Sequence, residues 1–180
     1  MIERNYENDL QSMLNDIERI KSKISVECQS IYRAENLFFN EQCFRSIDGD
    51  IHAKVLGFYL ERILNIKPEY EKKLVGRMRG DIFLKGKTSD IIIEVKSHGT
   101  FSYADLEKQF KKLTENYPNS KHLYVAFRER TGDFIPNTEK ILKQFNVESF
   151  FLTTYDSDPK VAKKYPETLK RLVETITAFI

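Results

Sequence analysis

Cysteine is scarce in this chain. Cys28 and Cys43 are the only two. They give neither a disulfide framework nor zinc-site spacing, and they suit free thiols in a reducing cytoplasm. No apolar run approaches the length that spans a bilayer, so no membrane segment is expected. The N-terminus carries Glu3, Glu7 and Asp9 where a signal peptide would have a basic and then an apolar stretch. Repeats and low-complexity tracts are absent. These absences leave a cytoplasmic globular protein as the expectation. At 180 residues and 41% hydrophobic content, one domain with an appended element or two fits the chain.

Net charge is also small, at +2, but it is unevenly spread. Residues 1–50 hold six Lys/Arg against ten Asp/Glu, and residues 51–130 hold sixteen against ten. The last fifty are balanced at seven each. The surplus of positive charge therefore falls in the middle of the chain. Basic residues around an acidic centre suit a protein that grips phosphates while its carboxylates hold a cation.

That acidic centre lies in residues 80–96. Asp81 opens an apolar run, Lys85 to Ser89 form a polar turn, and Ile91-Ile92-Ile93 leads into Glu94-Val95-Lys96. The pattern predicts a β-hairpin. Side chains alternate along a strand, so Glu94 and Lys96 share a face. The hairpin brings Asp81 near them. Two carboxylates that close repel unless a divalent cation sits between them. This is the chemistry of a magnesium-dependent phosphodiesterase.

The surrounding chain supplies further elements. Tyr6, Leu10, Met13, Ile17, Ile20 and Ile24 form a helical apolar stripe, read as packing on its own domain in preference to a coiled-coil seam. Ile47 to Asp50 reads as a turn, 52–65 as a helix, and 66–73, with Pro68, as a connector. Ser102 is the expected N-cap of the next helix, whose buried face is Leu106, Phe110 and Leu113. Strands are expected over 121–128 and 147–153, and helices over 138–145 and 160–179. This order implies an α/β fold, a mixed sheet with helices on both faces.

Gly80-Asp81, twelve intervening residues and Glu94-Val95-Lys96 resemble the PD-(D/E)XK nuclease superfamily, with Gly80 in place of the proline. The resemblance covers roughly residues 51–153. It implies a restriction-endonuclease-like αβα core, with 1–50 as a helical extension and 154–180 as a C-terminal helix. Many members carry a glutamate on the preceding helix, and Gly57-Phe58-Tyr59-Leu60-Glu61-Arg62-Ile63-Leu64 is similar to that setting. The alternative for Glu61 is a surface ion pair. Gln109 matches a glutamine that some members carry, and a boundary glutamine serves equally well.

The resemblance implies that Asp81, Glu94 and the Val95 carbonyl bind Mg²⁺ or Mn²⁺, with Glu61 as a further ligand. Hard oxygen donors suit those ions. Lys96 would orient the attacking water, making Asp81, Glu94 and Lys96 the catalytic set. Lys85, Lys87, His98, Lys108, Lys111 and Lys112 are candidate phosphate contacts. His52 lies in the apolar arc of its helix and reads as a core histidine. DNA is the expected substrate, cut by a restriction-type or structure-selective endonuclease. The alternatives are an RNA-directed nuclease, a catalytically silent nucleic-acid-binding module, or an unrelated α/β domain. Cutting both strands of a duplex calls for a homodimer, with the heptad stripe and Ile176 to Ile180 as candidate interfaces.

Overall fold

The computed structural model describes residues 4–35, 41–74, 79–98, 102–157 and 161–180. Along the chain lie α1 (Tyr6–Glu35), α2 (Glu41–Leu64), β1 (Glu69–Lys73), β2 (Arg79–Leu84), β3 (Ile91–Lys96), α3 (Tyr103–Asn116) and β4 (Lys121–Ala126). β5 (Glu129–Arg130), α4 (Phe134–Gln144), β6 (Glu148–Phe151), β7 (Thr153–Tyr155), β8 (Lys163–Lys164) and α5 (Pro166–Thr177) follow.

The main sheet has the order β1-β2-β3-β4-β6. β1, β2 and β3 pair antiparallel, while β3, β4 and β6 run parallel through the α3 and α4 crossovers. A smaller sheet has the order β5-β7-β8. The continuous apolar run Ile91-Ile92-Ile93 is what a central strand covered on both faces requires. Ile91, Ile93 and Val95 face a core built with α1, α2 and α5, and Ile92 faces a second core built with α3 and α4. The architecture is therefore a three-layer α/β fold with a mixed central sheet, as the element order implied.

Local signals account for several elements. Ser102 caps α3, its hydroxyl accepting the Asp105 amide proton at 3.3 Å. Leu106, Phe110 and Leu113 are its buried face. In the stripe of α1, Leu10, Met13 and Ile17 are buried and Tyr6, Ile20 and Ile24 pack around them. That stripe covers the molecule's own sheet. The C-terminus does the same: Ile176 is buried, and the Phe179 carbonyl accepts amide protons from Lys87 at 2.9 Å and Thr88 at 3.4 Å. Both candidate dimer surfaces are thus used largely within the chain.

Three expectations need correcting. Ile47 to Asp50 are not a turn but part of α2, which starts at Glu41. Residues 69–73 are not a connector but the edge strand β1, whose polar sequence Glu-Tyr-Glu-Lys-Lys hid it. The last helix starts at Pro166, not near 160, because Lys163–Lys164 pair with β7 as a short strand. Among the described residues, no helix is long and apolar enough to cross a membrane. The side chains of Cys28 and Cys43 lie outside the described residues.

Candidate active site

Glu94 lies beside Tyr124 of β4, and Lys96 beside Ala126. Both neighbours belong to the α3/α4 core, so Glu94 and Lys96 share that face of the sheet. Glu94 is only 6% exposed. The Lys96 ammonium donates to Glu94 Oε1 at 2.5 Å. This is a partly buried, charge-assisted hydrogen bond.

Asp81 reaches the pair because two strands turn over at this level. Ile82 faces the first core, yet a Cβ on Gly80 would point at Ile92 and Leu74 of the second. Across from them, Tyr70 packs on the first core while Leu74 lies in the second. Simple alternation would keep each of these pairs on one face. The change of face falls between them, at Asp81 and Glu71. The pairs Tyr70–Ile82 and Lys72–Gly80 bracket those two residues and set them opposite each other. Glu71 has a φ of 46°, left-handed backbone that non-glycine residues rarely adopt.

The pairing of β2 with β3 stops at Ile82 and Ile93. Beyond it, the Val95 amide donates to Asp81 Oδ2 at 2.7 Å. A side-chain carboxylate thus takes the place of a ladder acceptor. In a strand, the N–H and C=O of one residue point to the same side, so the Val95 carbonyl opens onto the same gap.

The electrostatics follow from this crowding. Burial, and next the charge of Glu94, push the Asp81 carboxyl up to about 7. The Val95 hydrogen bond and Lys96 work against that rise, and Glu71 adds to it. For Lys96, burial opposes the charge, but Glu94 and Asp81 outweigh it and the ammonium binds its proton more tightly than usual.

Among the described residues, no three His, Cys, Asp or Glu side chains converge closely enough to hold a metal by themselves. The donors gathered at the gap are two carboxylates and a backbone carbonyl. Such a set fits a hard cation that keeps several waters, as Mg²⁺ does.

The remaining sequence candidates fall elsewhere. Glu61 sits towards the end of α2, where its charge and burial push the Tyr70 hydroxyl up to about 12, burial being the larger cause. The five largest influences on Asp81 include Glu71 and not Glu61. His98 Nε2 lies 3.8 Å from Asp48 Oδ2 of α2. His52 is a buried core histidine, bonded through Nδ1 to the Asp48 carbonyl at 2.6 Å and set edge-on to Phe127. Gln109 is half-buried on α3, and Lys85, Lys87, Lys108, Lys111 and Lys112 are exposed.

Two acidic residues near the site carry no local signal in the sequence. Glu71 lies in the polar stretch expected as a connector, and only its strand pairing sets it opposite Asp81. Asp48 lies in the stretch expected as a turn, and its place in α2 carries it to the end of β3.

No protein-family model matches the sequence, and no curated protein does. Among solved structures, the chain is similar to that of Pyrococcus furiosus SfsA in complex with Ca²⁺. The identity is 14%, the TM-score 0.42, and the match covers 58% of this chain and 57% of that one. This chain thus matches little over half the length of that protein. A likeness of this degree says nothing of activity.

Proposed function

We propose that the protein is a divalent-cation-dependent nuclease that hydrolyses phosphodiester bonds in DNA, an endonuclease of the PD-(D/E)XK type. One observation carries the reading. Asp81, Glu94 and Lys96 meet where β2 leaves β3, and burial with the Glu94 charge pushes the Asp81 carboxyl up to about 7. A carboxylate that burial and a neighbouring negative charge hold back from ionising gains from a cation.

Asp81, Glu94 and the Val95 carbonyl would hold Mg²⁺ or Mn²⁺. When bound, the ion supplies an acidified water and positive charge for the phosphate. The Val95 amide fixes the Asp81 carboxylate through the 2.7 Å hydrogen bond to Oδ2. With an ion held there, Lys96 would orient water and face the charge growing on the phosphate. All three histidines are engaged elsewhere: His52 and His98 at Asp48, and His122, on the same face as Glu94, at the Tyr117 carbonyl. The excess of basic residues over 51–130 supports a polyanionic substrate.

The test is a cleavage panel. Duplex, branched and single-stranded DNA, and RNA, are incubated with Mg²⁺ or Mn²⁺, with Lys96→Ala as control. Metal-dependent cutting of DNA that Lys96→Ala lacks is expected. Cutting of RNA alone would move the substrate to the RNA class.

A second reading is a nucleic-acid-binding module without cleavage. The 2.5 Å Lys96–Glu94 pair favours it, since Glu94 is satisfied there by a side chain of the protein. Binding of DNA with no cutting under any metal would support this reading.

A further inference from the structure

Two of the three histidines converge on one carboxylate, just past the candidate catalytic strand. Asp48 of α2 has Lys21 of α1 at 2.9 Å, His52 Nδ1 at 3.6 Å and His98 Nε2 at 3.8 Å. Its carboxylate also takes a hydrogen bond from Ser97. Ser97 and His98 directly follow Lys96. Arg128, past the end of β4, pairs with Glu18 of α1 at 3.1 Å. Asp48 therefore joins α1, α2 and the end of β3 at one point.

We propose that Asp48, His52 and His98 form an acid-sensitive clamp, which holds the end of β3 and so positions Lys96 for the nuclease reaction. The regulatory part of this proposal rests on the nuclease reading, but the clamp itself does not.

Charge accounting explains the sensitivity. The groups facing the histidines are Lys21 and Glu18 from α1, Asp48 from α2 and Arg128 from the end of β4. Among the described residues two cations meet two carboxylates, so the cluster is balanced while both histidines are neutral. Burial disfavours the charged form of each histidine, and Lys21 adds to this for both. Asp48 stays ionised, because Lys21, His52 and Ser97 outweigh its own burial. His52 already uses Nδ1 on the Asp48 carbonyl, so a second proton would fall on Nε2, in a pocket only 3% exposed and edge-on to Phe127. Protons on both rings would leave two positive charges with no unshared carboxylate among the described residues. The folded pKa values are lowered, so the clamp is intact above the ordinary histidine range and is lost as pH falls below that range, through the folded values.

The experiment is hydrogen–deuterium exchange, read by mass spectrometry at about pH 7.5 and about pH 5.5 and corrected for intrinsic rates. Peptides over 91–98 and over 10–24 should exchange at least about threefold faster at the lower pH, and peptides over β4 should not. His98→Gln, half-exposed and neutral at both pH values, should shrink that difference. Asp48→Asn should show the faster exchange at both. An unchanged pH response in His98→Gln, or no response in the wild type, overturns the clamp. If wild type cuts no nucleic acid but the exchange pattern holds, the nuclease reading fails and the clamp stands.

Discussion

Asp81 Oδ2 accepts the amide proton of Val95 at 2.7 Å, in the place where β2 stops pairing with β3. A carboxylate fixed in this way cannot swing away from Glu94 to relieve their repulsion. It has two ways to do so, a proton or a cation.

Proton and cation should therefore compete. The folded Asp81 carboxyl keeps its proton up to about pH 7, while an unfolded one releases it near 4. Between those values the folded state binds more protons, so metal-free stability falls as pH rises through the window. The buried histidines slope the other way over part of this range, so the reading is a difference: in thermal melts from about pH 5 to 8, the stability of wild type relative to Asp81→Asn should fall as pH rises. Mg²⁺ or Ca²⁺ should raise the melting temperature more at pH 8 than at pH 6. Equal stabilisation at both would contradict a shared site.

Asp81→Asn should keep the fold, since the amide oxygen can still accept from Val95. It should lose cation affinity by roughly 10–100-fold and cleavage by at least as much. Calorimetric titration with Mn²⁺, beside circular dichroism, separates these effects. A variant that cuts at the wild-type rate removes Asp81 from the site.

Lys96→Met leaves Glu94 buried without its ammonium. A fully buried pair would lose more, but Lys96 keeps about a third of its side chain exposed, so a loss of about 1–3 kcal/mol is expected. Divalent cation should recover much of it. Chemical denaturation with and without Mg²⁺ reads both.

Glu71 and Glu61 can be told apart. Glu71 stands across from Asp81 and acts on its charge, whereas Glu61 acts on Tyr70. Glu71→Gln should weaken Mn²⁺ binding by about 1 kcal/mol or less, the scale of a solvent-screened charge. Glu61→Gln should weaken it less still. The opposite order would restore Glu61 as the helix-borne ligand.

Gly57 and Tyr70 make a test of packing alone. A Cβ at Gly57 would lie 2.4 Å from the Tyr70 hydroxyl oxygen. Gly57→Ala should cost about 1–3 kcal/mol from overpacking. The Tyr70 hydroxyl is buried and has no hydrogen-bond partner among the described residues. Tyr70→Phe should therefore be neutral or stabilising, and should offset part of the Gly57→Ala loss. Melting temperatures of the two single variants and the double variant decide it.

The hairpin was legible because its signals are local. Ile91 to Ile93, the polar turn and the charges at the strand end all lie within one stretch, and strand alternation fixes which side chains share a face. The same holds for Ser102 and the α3 stripe. β1 was illegible for the opposite reason. Its Glu-Tyr-Glu-Lys-Lys sequence has little apolar character, because an edge strand there meets solvent. Helical spacing placed Glu61 at the margin of an apolar arc, but not which part of the sheet that margin would meet.

The sequence by itself determined the three-layer α/β class and put Asp81, Glu94 and Lys96 on one hairpin, because periodicity and turn chemistry act between near neighbours. The tertiary structure alone decided the change of face at Asp81 and Glu71, the Val95 hydrogen bond and the meeting of Lys21, Asp48 and His98. Those depend on strand pairing and on how α1 and α2 cross the sheet. They are set by packing between residues far apart in the chain, for which no local spacing stands as a sign.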